Sequence, residues 1–205
     1  MDIKNFCFLT TNATKTSDFQ KHGFTVKPFE KEVKEILSPY VEEVVLHKSK
    51  DTDLVNVIVE DTALRIEGAD FFGTQIKDYW DYVEFDKSLH MRATVWEVSV
   101  CLATEDKYYV ATGRTHGFLV YPVMEDAYHF NKVFSVEHEG SIRHFGSLTL
   151  EDRQLFSPRI KAIGILKNAL ENEDFSNLVI VNKKNVKSWN GEYQEPPKLF
   201  KKVAP

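Results

Sequence analysis

The sequence predicts an α/β fold from three patterns. Residues 3–9 form a short apolar run that ends in a polar turn. Residues 54–59 form a second apolar run, β-branched and almost uncharged, with helix-period residues before it. Strand, helix, strand is the order of a parallel unit. From Trp96 the period becomes two: Trp96, Val98, Val100 and Leu102 alternate with Glu97, Ser99 and Cys101, so a hairpin follows the parallel opening.

In chain order, residues 3–9 read as a fully buried strand and residues 15–21 as a helix ended by Gly23. Residues 24–26 read as a short strand, and 30–35 as a charged connection. Residues 40–50 form a helix with Val41, Val44 and Val45 on its apolar face. After the strand at 54–59, residues 68–73 form a loop and 74–82 an aromatic-rich helix. Residues 105–107 turn the hairpin, and its second strand, 108–120, carries Gly113 and Gly117 as candidate bulges. Ser157-Pro158 opens the clearest helix: Ser is a good N-cap, Pro suits the first turn, and Ile160, Ile163, Leu166 and Leu170 mark its buried face. Residues 178–181 add a last strand. The chain therefore divides into an α/β domain, 1–172, and a C-terminal extension or surface arm, 173–205, rich in Lys, Asn and Pro.

Two polar motifs carry the chemistry. Thr10-Thr11-Asn12-Ala13-Thr14-Lys15 lies where a strand meets a helix N-terminus, and its hydroxyls, amide, cation and free backbone N–H groups suit phosphate. Glu60-Asp61 follows the second buried strand, where α/β folds bind ligands, and carboxylates there suit Mg²⁺ together with phosphate oxygens. Side chains alternate along a strand, so one of the two points into a given site. Arg159, in the first turn of its helix, opposes the helix dipole; it has either a ligand or a neutralising partner such as Glu151 or Asp152.

Composition excludes several classes. The net charge of −5 over 205 residues argues against nucleic-acid binding as the main activity. No segment is long and apolar enough to span a membrane, and no signal-peptide pattern is present, so a cytoplasmic protein is expected. Cys7 and Cys101 form no C-x-x-C pair and read as small buried hydrophobes. The seven histidines lack metal-site spacing.

Read in order, these pieces resemble the inosine triphosphate pyrophosphatase family, which hydrolyses non-canonical purine nucleoside triphosphates. Residues 8–15 resemble its T-G-N-x-x-K start, and residues 59–64 its V-E-D-T-x-L signature. Residues 73–77 resemble its G-x-x-x-K/R segment, 113–117 its G-x-x-x-G, and 157–162 its S-H-R-x-x-A helix. The resemblance implies an elongated mixed sheet with flanking helices and a central cleft, usually in a homodimer. It implies Mg²⁺-dependent cleavage of (d)NTPs such as (d)ITP and XTP to the monophosphate and pyrophosphate. By it, Thr10, Thr11, Asn12 and Lys15 hold the triphosphate, Lys48 faces the phosphates, and Asp61 is a metal ligand or the base, with Glu60 beside it. The further metal ligand is Glu35, with Glu30 and Glu32 as close alternatives.

The departures fall mainly at the base end. Thr11 replaces a glycine. Tyr128-His129-Phe130-Asn131 matches the family's F-G-W-D, Arg153 replaces a lysine, and Pro158, between Ser157 and Arg159, replaces a histidine. Altered or relaxed base specificity follows as an expectation. Thr11 and Pro158 also suit a second reading, a catalytically weak or inactive nucleotide-binding protein. Tyr79, Trp80 and Tyr82 suit a third, an interaction patch.

Overall fold

A computed structural model describes residues 4–127 and 129–194, with the Lys4 and Asp81 side chains left out; residues 1–3, with Ile3 of the expected first strand, Tyr128 and residues 195–205 lie outside the described residues. Eight strands form one mixed sheet: β1 (Lys4–Leu9), β2 (Thr25–Phe29), β3 (Val57–Ile66), β4 (Ala93–Ala103), β5 (Lys107–Leu119), β6 (Phe134–His138), β7 (Ser141–His144) and β8 (Val179–Asn182). Their spatial order is β2-β1-β3-β4-β5-β6-β7, and β8 also pairs with β5. β1 is parallel to β2 and β3; the remaining pairs are antiparallel. The helices are α1 (Ala13–Lys21), α2 (Val41–Thr52), α3 (Trp80–Phe85), α4 (Leu150–Phe156) and α5 (Pro158–Asn172). None is long and apolar enough to cross a membrane, among the described residues.

Helices cover both faces. On one, Phe19 of α1 and Ala162, Ile163 and Leu166 of α5 bury Phe8, Ile58, Leu64, Val98 and Leu102. On the other, Val45 of α2 packs with Val57, Val59, Cys101 and Val110. Cys7 departs from its expected burial. Phe6 and Phe8 point to the α1 side, while α2 packs over β3, β4 and β5, so Cys7 on the opposite face is exposed and β1 is not fully buried.

Three further readings change. Leu54 and Val55 precede β3 and are exposed (40% and 54%). The strand starts at Val57 and runs on to Ile66, so Glu60 and Asp61 sit in mid-strand. Residues 74–82 are not one helix: a 3₁₀ turn at Gly73–Gln75 precedes the short α3. Gly113 and Gly117 are not bulges, since the β4–β5 register is unbroken across both. They are places of close approach. A Cβ at Gly113 would lie 1.9 Å from the Pro158 carbonyl oxygen, and one at Gly117 2.2 Å from that of Ser135. Gly113→Ala is therefore expected to push α5 off β5 and lower stability by about 1–3 kcal/mol, read as a fall in Tm.

The extension joins the sheet through β8. Its next residues return over α2, where Ile36 and Tyr193 form an antiparallel bridge.

Candidate active site

The site opens where β1 stops. β1 pairs with β3 at Cys7–Val57 and Phe8–Ile58, then ends at Leu9, while β3 continues through Glu60 and Asp61. The loop after β1 is shaped by its own side chains. Thr10 Oγ1 accepts from Asn12 N–H (3.0 Å), and Asn12 Oδ1 caps α1 by accepting from the N–H groups of Thr14 (2.9 Å) and Lys15 (3.3 Å). Asn12 thus braces the loop. Thr11 fits its replaced glycine without strain, because it is not among the residues with positive φ.

Thr10 and Thr11 line a cleft of about 490 Å³ together with Glu30, Glu32, Glu35 and Lys48. Lys48, from α2, donates to Glu35 Oε1 (2.6 Å) and lies 3.7 Å from Asp61 Oδ2. Lys77 adds a second ammonium on Glu35, 3.2 and 3.1 Å from its oxygens. Burial alone would raise the Glu35 pKa; Lys48 and Lys77 outweigh it and hold the carboxyl at about 2. Burial would likewise lower the Lys48 pKa, but Asp61 and Glu35 raise it, so this cation stays charged. Asp61 Oδ1 accepts the Thr62 N–H (2.7 Å), whereas Oδ2 is buried with no hydrogen-bond partner.

Glu60 faces the other side of β3. Arg159 Nε (2.9 Å) and Nη2 (3.2 Å) bind its two oxygens, and Lys15 Nζ lies 3.0 Å from Oε1. Its side chain is 1% exposed. Burial pushes its pKa up, but Arg159 and Lys15 bring it down to about 2. Asp18 of α1 also meets Arg159 (3.3 Å). The partners that settle Arg159 at a helix N-terminus are thus Glu60 and Asp18, while Asp152 donates its N–H to the capping Thr149 Oγ1, accepts the Thr149 hydroxyl at its carboxylate and lies 3.4 Å from His138.

The remaining expected residues lie at a second end. The Phe130 ring packs 5.5 Å from Trp80 and 5.8 Å from Trp96. Arg153 donates from Nη2 to the Gly146 carbonyl, and Gly146 lies against the Asn131 carbonyl; Arg153 Nε is buried without a hydrogen-bond partner. Ser157 Oγ accepts from Ile160 N–H (3.4 Å), as an N-cap. Tyr79 stacks on Phe71 and Trp80 packs on Phe130, so of the three aromatics Tyr82 stays exposed. Lys77 and Asp18 were not foreseen as site residues. Lys77 closes the G-x-x-x-K/R segment, which was a signal for it; nothing local marks Asp18, whose partner is 141 residues away.

The residues present fit a divalent cation bound with phosphate. Four cations, Lys15, Lys48, Lys77 and Arg159, meet four carboxylates, Asp18, Glu35, Glu60 and Asp61. This balance leaves little positive charge over for a triphosphate. No group of three candidate metal ligands is present among the described residues. Mg²⁺ commonly takes one or two carboxylates plus phosphate and water, and Glu35 with Asp61, whose Oδ2 accepts no hydrogen bond and lies 3.7 Å from Lys48, would be such a pair.

The family model of the Ham1 family matches residues 6–169. The Ham1 protein of Staphylococcus aureus superposes with a TM-score of 0.63 at 19% identity, covering 83% of this chain and all of that one. A HAM1 protein from Coxiella burnetii gives 0.62 at 15% identity, covering 82% and 98%. No curated protein matches the chain. With the family model spanning most of its length and the strand order and cleft in place, the chain belongs to the Ham1 family, the inosine triphosphate pyrophosphatases.

Proposed function

We propose that this protein is a Mg²⁺-dependent nucleoside triphosphate pyrophosphatase that converts (d)NTPs, non-canonical purine nucleotides such as (d)ITP and XTP among them, to the monophosphate and pyrophosphate. The observation that carries this is the buried Asp61 Oδ2, which accepts no hydrogen bond and lies 3.7 Å from Lys48, the lysine that with Glu35, Thr10 and Thr11 lines the cleft. Glu35 and Asp61 would hold the metal, which when bound would supply charge neutralisation and a more acidic water. Lys48 and Lys77 meet phosphate oxygens, and the 10–11 loop orients the chain of phosphates. Asp61 takes the proton of the attacking water. The water oxygen bonds to the α-phosphorus, the bridging P–O bond to the β-phosphate breaks, and its electron pair leaves with pyrophosphate. Glu60 is reassigned from metal ligand to structural counter-charge, because it points to the opposite side of β3 from Asp61 and its side chain is 1% exposed between Arg159 and Lys15, whereas that of Glu35 is 20% exposed on the cleft.

At the base end, Arg153, Asn131 and Pro158 support altered specificity, since Pro158 offers no donor to a 6-keto group. Pyrophosphate release from ITP, XTP, dUTP and dGTP, with Mg²⁺ and with chelator, tests both statements. Mg²⁺-dependent release spread over several bases is expected. A strong preference for ITP and XTP alone overturns the altered specificity. Tight nucleotide binding with no release from any triphosphate overturns the enzyme and leaves a nucleotide-binding protein.

A further inference from the structure

Residues 30–37 form the wall of the cleft that carries Glu35, yet they have no helix or strand of their own beyond the bridge at Ile36. What holds their end in place comes from the C-terminal arm. Leu37 N–H donates to the Glu192 carbonyl (2.9 Å), and Gln194 N–H donates to the Glu35 carbonyl (2.8 Å). The Gln194 side-chain amide adds a bond to the Ile36 carbonyl (3.1 Å). The arm is itself fastened to α2. Trp189 packs edge-on against His47 at 5.4 Å and donates from Nε1 to the Glu192 carbonyl (2.7 Å), and Lys50 Nζ reaches Ser188 Oγ (3.5 Å). Lys34 lies over the Tyr193 ring at 5.6 Å. The same α2 carries Lys48, the Glu35 partner. All of these arm residues follow the family-matched segment, which ends at residue 169.

We infer that residues 188–194 are a positioning clamp for Glu35, fixing the backbone from which its carboxylate reaches Lys48, Lys77 and the metal position. This rests on the metal role proposed for Glu35. The arm touches no phosphate; it acts through the orientation of one ligand, and such outer partners typically set metal affinity by 10- to 100-fold. A carboxylate whose main chain is held by one backbone bond at its own carbonyl and one at Leu37 needs no reordering when the metal arrives. Without them, the 30–37 segment must order first.

The test uses the full chain and Mn²⁺ as probe, followed by its electron paramagnetic resonance signal without nucleotide, so that the readout is independent of turnover. Gln194→Pro deletes both the backbone and side-chain donors, and its extended neighbour Tyr193 tolerates a following proline. Gln194→Ala keeps the backbone donor. Trp189→Ala unfastens the arm from α2. Gln194→Pro and Trp189→Ala are expected to weaken Mn²⁺ binding about tenfold, with Gln194→Ala much closer to wild type. Tm is expected to stay near wild type, and amide exchange at Leu37 to accelerate in the first two. Wild-type Mn²⁺ affinity in both Gln194→Pro and Trp189→Ala overturns the clamp. If the wild-type protein binds Mn²⁺ yet releases no pyrophosphate, the proposed activity fails while the clamp is still decided by these affinities.

Discussion

Asp61→Asn is expected to reduce Mg²⁺-dependent pyrophosphate release by about 10²–10⁴-fold, the range for removing a positioned general base, while leaving the fold intact. The substitution keeps an oxygen to accept the Thr62 N–H and removes a negative charge that is 5% exposed and has an orphan oxygen. Lys48 loses one counter-charge but retains Glu35 at 2.6 Å. The thermal midpoint should therefore stay within a few degrees of wild type as activity collapses. Pyrophosphate release and thermal unfolding on the same preparation check both halves. Wild-type turnover in Asp61→Asn would remove Asp61 from the chemistry.

The reverse pattern is expected one residue earlier. Glu60→Ala leaves Arg159 with Asp18 alone and takes from Lys15 the carboxylate it pairs with among the described residues. Breaking a buried ion pair by removing one partner costs about 3–5 kcal/mol. In a chain of this size that is a fall of roughly 2–4 °C in Tm per kcal/mol. Lys15 and Arg159 are partly exposed, which puts the effect at the lower end. Replacing the pair together, Glu60→Met with Arg159→Met, should recover part of the loss, because Arg159 is then not left without Glu60, while Lys15 and Asp18, each with access to water, still lose a partner. A Glu60→Ala protein with unchanged Tm but abolished Mn²⁺ binding would return Glu60 to the metal.

The parts of the fold governed by local pattern were legible in the sequence. β4 follows from strict alternation and β5 from the short turn that precedes it, and α5 from Ser157-Pro158 ahead of Ile163, Leu166 and Leu170. β3 was displaced because exposed Leu54 and Val55 imitate a strand start, while buried Glu60 and Asp61 imitate an end. A charge inside a strand is stable here because partners arrive from α1, α2 and α5, which local pattern does not show. β6 and β7 were not read at all; Ile142 is exposed and the alternation covers few residues. At the candidate site, Lys15, Glu35, Lys48 and Asp61 were named by residue type and resemblance, and the structure places Glu35 and Asp61 around Lys48 and Lys15 on Glu60. The opposed directions of Glu60 and Asp61 follow from strand geometry, but which faces phosphate depends on the helices above and below.

The contact between Gly113 and the Pro158 carbonyl has a consequence for how this protein's substrate range can change. Main chain rests on main chain there, so the first turn of α5 has no soft layer of side chains beneath it and has little room to slide toward the sheet. Arg159 is one residue away in that turn and the Arg153 helix is joined directly before it. The spacing between the proposed phosphate end and the proposed base end is thereby set by backbone thickness. Laboratory evolution toward a larger or smaller base should accumulate exchanges of side chains around Phe130 and Arg153, and should leave the helix register and Gly113 untouched.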